Sequence, residues 1–199
     1  MKAESIVFSL AGMVFGIILG WIIGDQMARR EPVIAPPAAE TGSAEPARQV
    51  PPLDEDRVKA LTTVADNDKK NVEARLQLAT LYTESERYQD AVKWYEDAVA
   101  IDPKNVEAST ALGVAYYYTN QPDRALEQFD RSLKVQPAHP KTLLNQGIVL
   151  AFGKQDLDGA ARSWQKIIDE SPDSPEAQAA RQGIETIKAR NAGAAPAGG

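Results

Sequence analysis

One 34-residue stretch of this chain is written twice in succession. Residues 72–105 read VEARLQLATLYTESERYQDAVKWYEDAVAIDPKN, and residues 106–139 read VEASTALGVAYYYTNQPDRALEQFDRSLKVQPAH. At that offset Leu78 becomes Leu112, Ala79 becomes Gly113, Tyr82 becomes Tyr116, Ala91 becomes Ala125, Tyr95 becomes Phe129 and Pro103 becomes Pro137. Self-similarity at such a period means that each copy is one supersecondary unit, too small to bury its apolar face except by stacking on the next. The matched residue types have packing reasons. Ala79 or Gly113, with Ala91 or Ala125, lets the two helices of a hairpin approach closely, and Tyr95 or Phe129 fills the space between neighbouring hairpins. Pro103 and Pro137 end the second helix, because proline supplies no amide donor and clashes with the preceding turn.

A third copy runs over residues 140–173, with Gly147, Leu150, Ala160, Trp164 and Pro172 at the corresponding places. It carries one extra residue, expected in the turn near Gly153 to Asp158, where an insertion costs little. Ahead of the first copy, Asp54 to Ala65 reads as a half-repeat, with Leu61 and Val64 where a second helix carries its packing residues. After the third, Ser174 can cap a helix whose first position is Pro175. Ala177, Ala180, Ile184 and Ile187 on one side, with Arg181, Glu185 and Lys188 away from it, make residues 174–190 an amphipathic capping helix. The tail, 191–199, is Ala/Gly/Pro and expected to be disordered.

Over residues 53–190 the pattern resembles the tetratricopeptide repeat family. The resemblance implies an all-α solenoid of helical hairpins: a half-repeat, three repeats and a cap. It departs from the family at the position usually held by Trp, which is Arg75, Ser109 and Leu143, and at Gln146, which replaces a packing Leu. In the family the first helices line a concave groove whose exposed positions decide what binds. Carried over, those positions are Glu73, Leu76, Thr80 and Thr83, then Glu107, Thr110, Val114, Tyr117 and Tyr118, then Lys141, Leu144, Asn145, Ile148 and Phe152. An apolar, aromatic groove with a few hydroxyls suits an amphipathic helix or an extended peptide with apolar anchors. Members that grip a C-terminal carboxylate do so with several Lys, Arg and Asn. This groove offers Lys141 and Asn145 and little else, which argues against chaperone-tail capture.

The amino-terminal quarter has a different composition. Ile6 to Gly24 is nineteen residues with no charge and Ser9 as its only polar side chain. At ~1.5 Å per residue it spans roughly 28 Å, near the ~30 Å hydrocarbon core of a bilayer. Asp25-Gln26-Met27-Ala28-Arg29-Arg30 follows, without a small-x-small cleavage pattern, so residues 1–27 read as a retained single-pass anchor. Gly12, Gly16, Gly20 and Gly24 form a stripe of the kind that pairs helices in lipid, with another copy or a foreign helix. Residues 28–52 hold six prolines and six alanines and no apolar period, the composition of an extended spacer. Arg29 and Arg30 against Lys2 lean towards a cytoplasmic repeat domain. The spacer, however, resembles those that follow uncleaved anchors in bacterial envelope proteins, so the expected location is the inner membrane with the repeats in the periplasm. Among anchored relatives the architecture also resembles the repeat subunits of c-type cytochrome maturation, which hold the haem-less cytochrome or a haem-lyase component.

Inventory narrows the function classes. There is no cysteine, so disulfides, thiolate nucleophiles and Cys-based zinc sites are excluded. The single histidine, His139, lies in the turn Pro137-Ala138-His139-Pro140 and is expected at the surface. From Leu53 onward there are 18 Lys plus Arg against 23 Asp plus Glu, a net charge of −5, the wrong sign for a nucleic-acid face. The carboxylates are scattered over solvated helix faces, with no catalytic motif, no metal-ligand spacing and no cofactor fingerprint. The expectation is therefore a scaffold that binds a protein or peptide and is not an enzyme, or a structural subunit assembled through its glycine stripe and groove.

Overall fold

The repeat period translates directly into helices capped by the same residue in successive copies. A computed structural model describes residues 50–194, and among these residues every element is helical. The elements are α1 (Glu55–Asn67), α2 (Val72–Glu84), α3 (Tyr88–Ile101), α4 (Val106–Tyr118), α5 (Pro122–Val135), α6 (Pro140–Ile148), α7 (Leu157–Glu170) and α8 (Pro175–Ala194). Asn71 and Asn105 start α2 and α4: each Oδ1 accepts from the amide three residues on, Ala74 or Ala108, at 2.9 Å. Asp54, Asp156 and Ser174 do the same for α1, α7 and α8. The anchor with its glycines, the spacer up to residue 49 and the tail from residue 195 lie outside the described residues. Among the described residues no helix is long and apolar enough to cross a membrane.

Consecutive helices pack as antiparallel neighbours in the order α1 to α8, and α8 lies against both α6 and α7. Ala79, Ala91 and Ala125 are fully buried at the hairpin contacts. Gly113 shows why a small residue is needed there: a Cβ on it would sit 2.4 Å from Cε1 of Phe129. Phe129 therefore seals its own hairpin, α4 against α5, rather than only the gap between hairpins. Trp164, one repeat later, does both. It meets Gly147 of its own hairpin and Gly183 of α8, and its Nε1 donates to the Leu144 carbonyl at 3.1 Å.

The extra residue of the third copy is not in the inter-helix turn. Each hairpin turn holds one residue in the left-handed region, Glu86, Asn120 and Gln155. The spacing is 34 and then 35, so the insertion lies upstream of Gln155. It is absorbed as a π-helical turn, Val149–Gly153, that ends α6, with Lys154 N donating to the Val149 carbonyl at 3.0 Å. A π-turn accommodates one residue while leaving the rest of the helix in phase, which is the usual use of this geometry.

Two polar residues that look like departures from the repeat pattern are buried junction pieces. Arg75, 6% exposed, donates to the carbonyls of Ala65 (3.2 Å), Asp68 (3.2 Å) and Asn71 (2.8 Å). It puts a cation on the carbonyl end of α1, where the helix dipole favours it. His139 is not at the surface as expected: it is 7% exposed. It stands where Asn71 and Asn105 cap the other first helices, but makes no cap bond. Its Nδ1 lies 2.7 Å from Thr142 Oγ1 and its Nε2 3.1 Å from Glu107 Oε1, which turns the ring into the junction between the second and third repeats.

Candidate functional site

On α2 and α4 the expected groove residues recur at helical spacing, Leu76, Thr80 and Thr83, then Thr110, Val114 and Tyr117, so each set shares one face. Thr80 is exposed, and Leu76, Thr83, Val114, Tyr117, Asn145 and Phe152 are half-buried. Three of the expected contacts are not surface residues. Thr110, Leu144 and Ile148 are 5%, 2% and 1% exposed. Thr110 is drawn inward because its hydroxyl is bonded to the Val106 carbonyl (2.8 Å) and to Thr142 Oγ1 (2.6 Å). Leu144 and Ile148 lie on α6, which packs against α8 as α4 packs against α6. Asn145 turns its amide back to the Lys141 carbonyl at 2.8 Å. Lys141 and His139 both approach Glu107, Lys141 at 3.6 Å.

The expected groove residues that keep some exposure thus lie mainly on the first two repeats and the π-turn. Its aromatic part includes one residue that sequence reading missed. Tyr88, the first residue of α3, stacks on Tyr118 with ring centroids 4.2 Å apart and planes 7° apart, and Tyr117 meets Tyr118 edge-on at 6.0 Å. Tyr88 lies thirty residues from Tyr118, and no local pattern announces such a pairing. The π-turn places Phe152 where the 35-residue offset matches Tyr117, and Gly153 where it matches Tyr118. A side chain at Gly153 would press on Pro122 Cβ and Tyr117 Cε2, both 3.1 Å from where its Cβ would stand.

Behind this face a polar staple joins the first two repeats. Tyr116 OH donates to Glu96 Oε1 at 2.6 Å, and Arg124 Nη2 donates to both, at 2.7 Å to the phenol and 2.8 Å to the carboxylate. The Arg124 guanidinium also covers the Tyr116 ring, 4.0 Å from its centroid. Burial, then the bond to Glu96, pushes the Tyr116 phenol up to about 12. Burial raises Tyr117 as well. Below pH 10 the Tyr116 phenol is protonated folded or unfolded. Between pH 10 and about 12 only the unfolded chain releases its proton, so this group's share of stability is lost across that window. Following phenolate absorbance should show a late ionisation near pH 12, and Tyr116→Phe should remove that step.

Among the described residues no three His, Asp or Glu side chains converge as metal ligands do. What the geometry offers is recognition: alternating first and second helices in register, with half-buried apolar side chains on one face. This is the architecture of a helical-hairpin repeat scaffold. Family models match residues 79–120 as TPR repeat and residues 110–175 as tetratricopeptide repeat. The helical unit belongs to the tetratricopeptide repeat family. No curated protein matches the chain. Among solved structures, that of MamA is 22% identical, with a TM-score of 0.58 over 67% of this chain and 78% of that one. The first TPR of Spaghetti (RPAP3), bound to the HSP90 peptide SRMEEVD, is 18% identical, with a TM-score of 0.56 over 63% of this chain and 96% of that one. The Yersinia enterocolitica type III secretion chaperone SycD, in complex with a peptide of the translocator YopD, is 20% identical, with a TM-score of 0.55 over 60% and 93%. At these identities the likeness speaks for the fold.

Proposed function

We propose that this chain is a membrane-tethered scaffold whose repeats capture an apolar or amphipathic peptide segment of a partner protein along the first-helix face. One observation carries the reading. Leu76 and Val114 stay half-buried on that face, beside the exposed Thr80, while their equivalents in the third repeat, Leu144 and Ile148, are buried. The Thr80/Val114 place thus stays open in the first two repeats and closes in the third, while the Leu76 place stays open in the first alone. Half-buried aliphatic and aromatic groups with hydroxyls between them match a ligand that offers apolar anchors and a few backbone polar groups. The RPAP3 and SycD structures each hold a peptide on the same fold, and they support peptide capture as the use of this one. The apolar length of Ile6 to Gly24 supports the tether, and the Ala/Pro spacer supports a periplasmic position at the bacterial inner membrane.

The test is capture from detergent-solubilised native membranes by the full chain and by a Val114→Glu, Tyr117→Ala variant. The variant should lose a discrete partner by about tenfold or more, as expected for central apolar anchors, with helical circular dichroism unchanged. Equal capture by both proteins places the binding surface elsewhere. The four-residue glycine spacing favours a second reading, a structural subunit that assembles through its anchor. Recovery of only the chain itself, insensitive to the face substitutions but lost with Gly16→Leu and Gly20→Leu, is the result that reading expects.

A further inference from the structure

A cleft of about 350 Å³ opens on the other side of the domain, between α3, α4 and α5. Val99, Ala100, Pro103 and Leu112 form its apolar walls, with Leu112 and Gln128 buried at its base. It is not a by-product of the repeat. At the preceding junction the residue equivalent to Gln128 is Trp94, which packs against the cores on both sides and fills the space. At the following junction Gln146, the equivalent of Leu112, donates to Asp130 at 2.9 Å and accepts from Ser163 at 3.0 Å, bridging the gap with polar bonds. There the equivalent of Ala100 is Lys134. Between the first two repeats that second-helix place is Gln128, whose Nε2 turns inward to donate to Ser109 Oγ at 2.7 Å, while Ala100 leaves the mouth open. At the rim Glu96 is already committed to Arg124 and Tyr116. Arg131 is exposed and in no ion pair among the described residues, so the charge left at the cleft is a guanidinium.

We propose that this cleft is a second binding site, distinct from the first-helix face, for an aliphatic side chain of a partner protein followed directly by a carboxylate side chain. The volume suits the occupant. A 150 Å³ apolar cavity already takes a benzene-sized group, and 350 Å³ accommodates a leucine with its flanking backbone. The guanidinium then meets the neighbouring Glu or Asp as a fork meets a carboxylate.

The probe is the fluorescein-labelled peptide Ser-Gly-Leu-Glu-Gly-Ser-amide, titrated by anisotropy against the full chain in detergent, beside versions carrying Leu-Gln or Ala-Glu. The Leu-Glu peptide should bind severalfold more tightly than either. Arg131→Gln should make Leu-Glu and Leu-Gln equal, and Ala100→Lys, which installs the side chain found at the same place one repeat later, should abolish binding of all three. Both positions are exposed, so folding is not at issue. Val114→Glu, on the opposite face, should leave every titration unchanged. Equal binding of Leu-Glu and Leu-Gln to the unaltered chain, persistence of binding in Ala100→Lys, or loss of binding in Val114→Glu each overturns the proposal.

Discussion

Trp164→Ala should lower the unfolding free energy by about 3–5 kcal/mol, the cost of truncating a large aromatic in a packed core. Trp164 is 2% exposed and is held between two glycines from different elements. An added Cβ at Gly147 would lie 2.2 Å from its Nε1, and one at Gly183 would lie 2.6 Å from its Cζ3. The indole therefore occupies notches on α6 and α8 that only glycine leaves open, and its truncation empties the junction that holds the last hairpin to its cap. The loss also removes the hydrogen bond that Nε1 donates to the Leu144 carbonyl. Gly147→Ala and Gly183→Ala approach the same junction from the opposite direction, by overpacking, at about 1–3 kcal/mol each. Urea unfolding followed by circular dichroism measures all three. A Trp164→Ala variant within 1 kcal/mol of the parent, an error-sized change on this scale, would mean that α8 does not depend on the indole.

Thr142→Val should cost about 1–3 kcal/mol although it preserves shape, because it leaves the buried His139 Nδ1 without a partner and removes a bond each from Thr110 and Ser132. Thr142 is fully buried, and its hydroxyl lies within 2.7 Å of His139 Nδ1, 2.6 Å of Thr110 Oγ1 and 3.1 Å of Ser132 Oγ. Those partners come from α4, α5 and the start of α6, so one hydroxyl ties the third repeat to the second. Among the described residues no buried side-chain polar atom lacks a hydrogen bond, and valine here would leave His139 Nδ1 without one while Thr110 and Ser132 keep each other and the Val106 carbonyl. Thr142→Ser, which restores the oxygen, should recover most of the loss. Equal destabilisation by Ser and Val would show that the methyl group, not the hydroxyl, matters at this site.

This network marks the limit of what sequence could reveal about the site. The small residues at hairpin contacts, the capping Asn71 and Asn105, and the aromatic at Tyr95, Phe129 and Trp164 repeat at fixed offsets, so their roles follow from the period. His139 does not. As a lone histidine between prolines it reads as a turn residue, and its burial depends on Glu107 and Thr142 arriving from two helices. Thr110 was legible as a residue of the first-helix face, but the pull of Thr142 and Ser132, thirty-two and twenty-two positions away, takes it out of reach of a partner. Leu144 and Ile148 share the spacing of Thr110 and Val114, yet of the four only Val114 keeps part of its surface, which the spacing does not announce. The inserted residue of the third copy was countable in sequence, whereas its place as a π-turn was settled by which register kept Gly147 under Trp164.

The sequence by itself determined the helices, their pairing into hairpins and their order, because all of these rest on local capping and on a pattern that returns every 34 residues. Only the tertiary structure decided which side chains of that pattern are surface and which are core, since burial is set by whatever packs against a helix from elsewhere in the chain. The same holds for the cleft beneath Ala100. Its walls are ordinary repeat positions, and it stands open because the amide of Gln128 finds Ser109 on the neighbouring helix instead of bridging the junction.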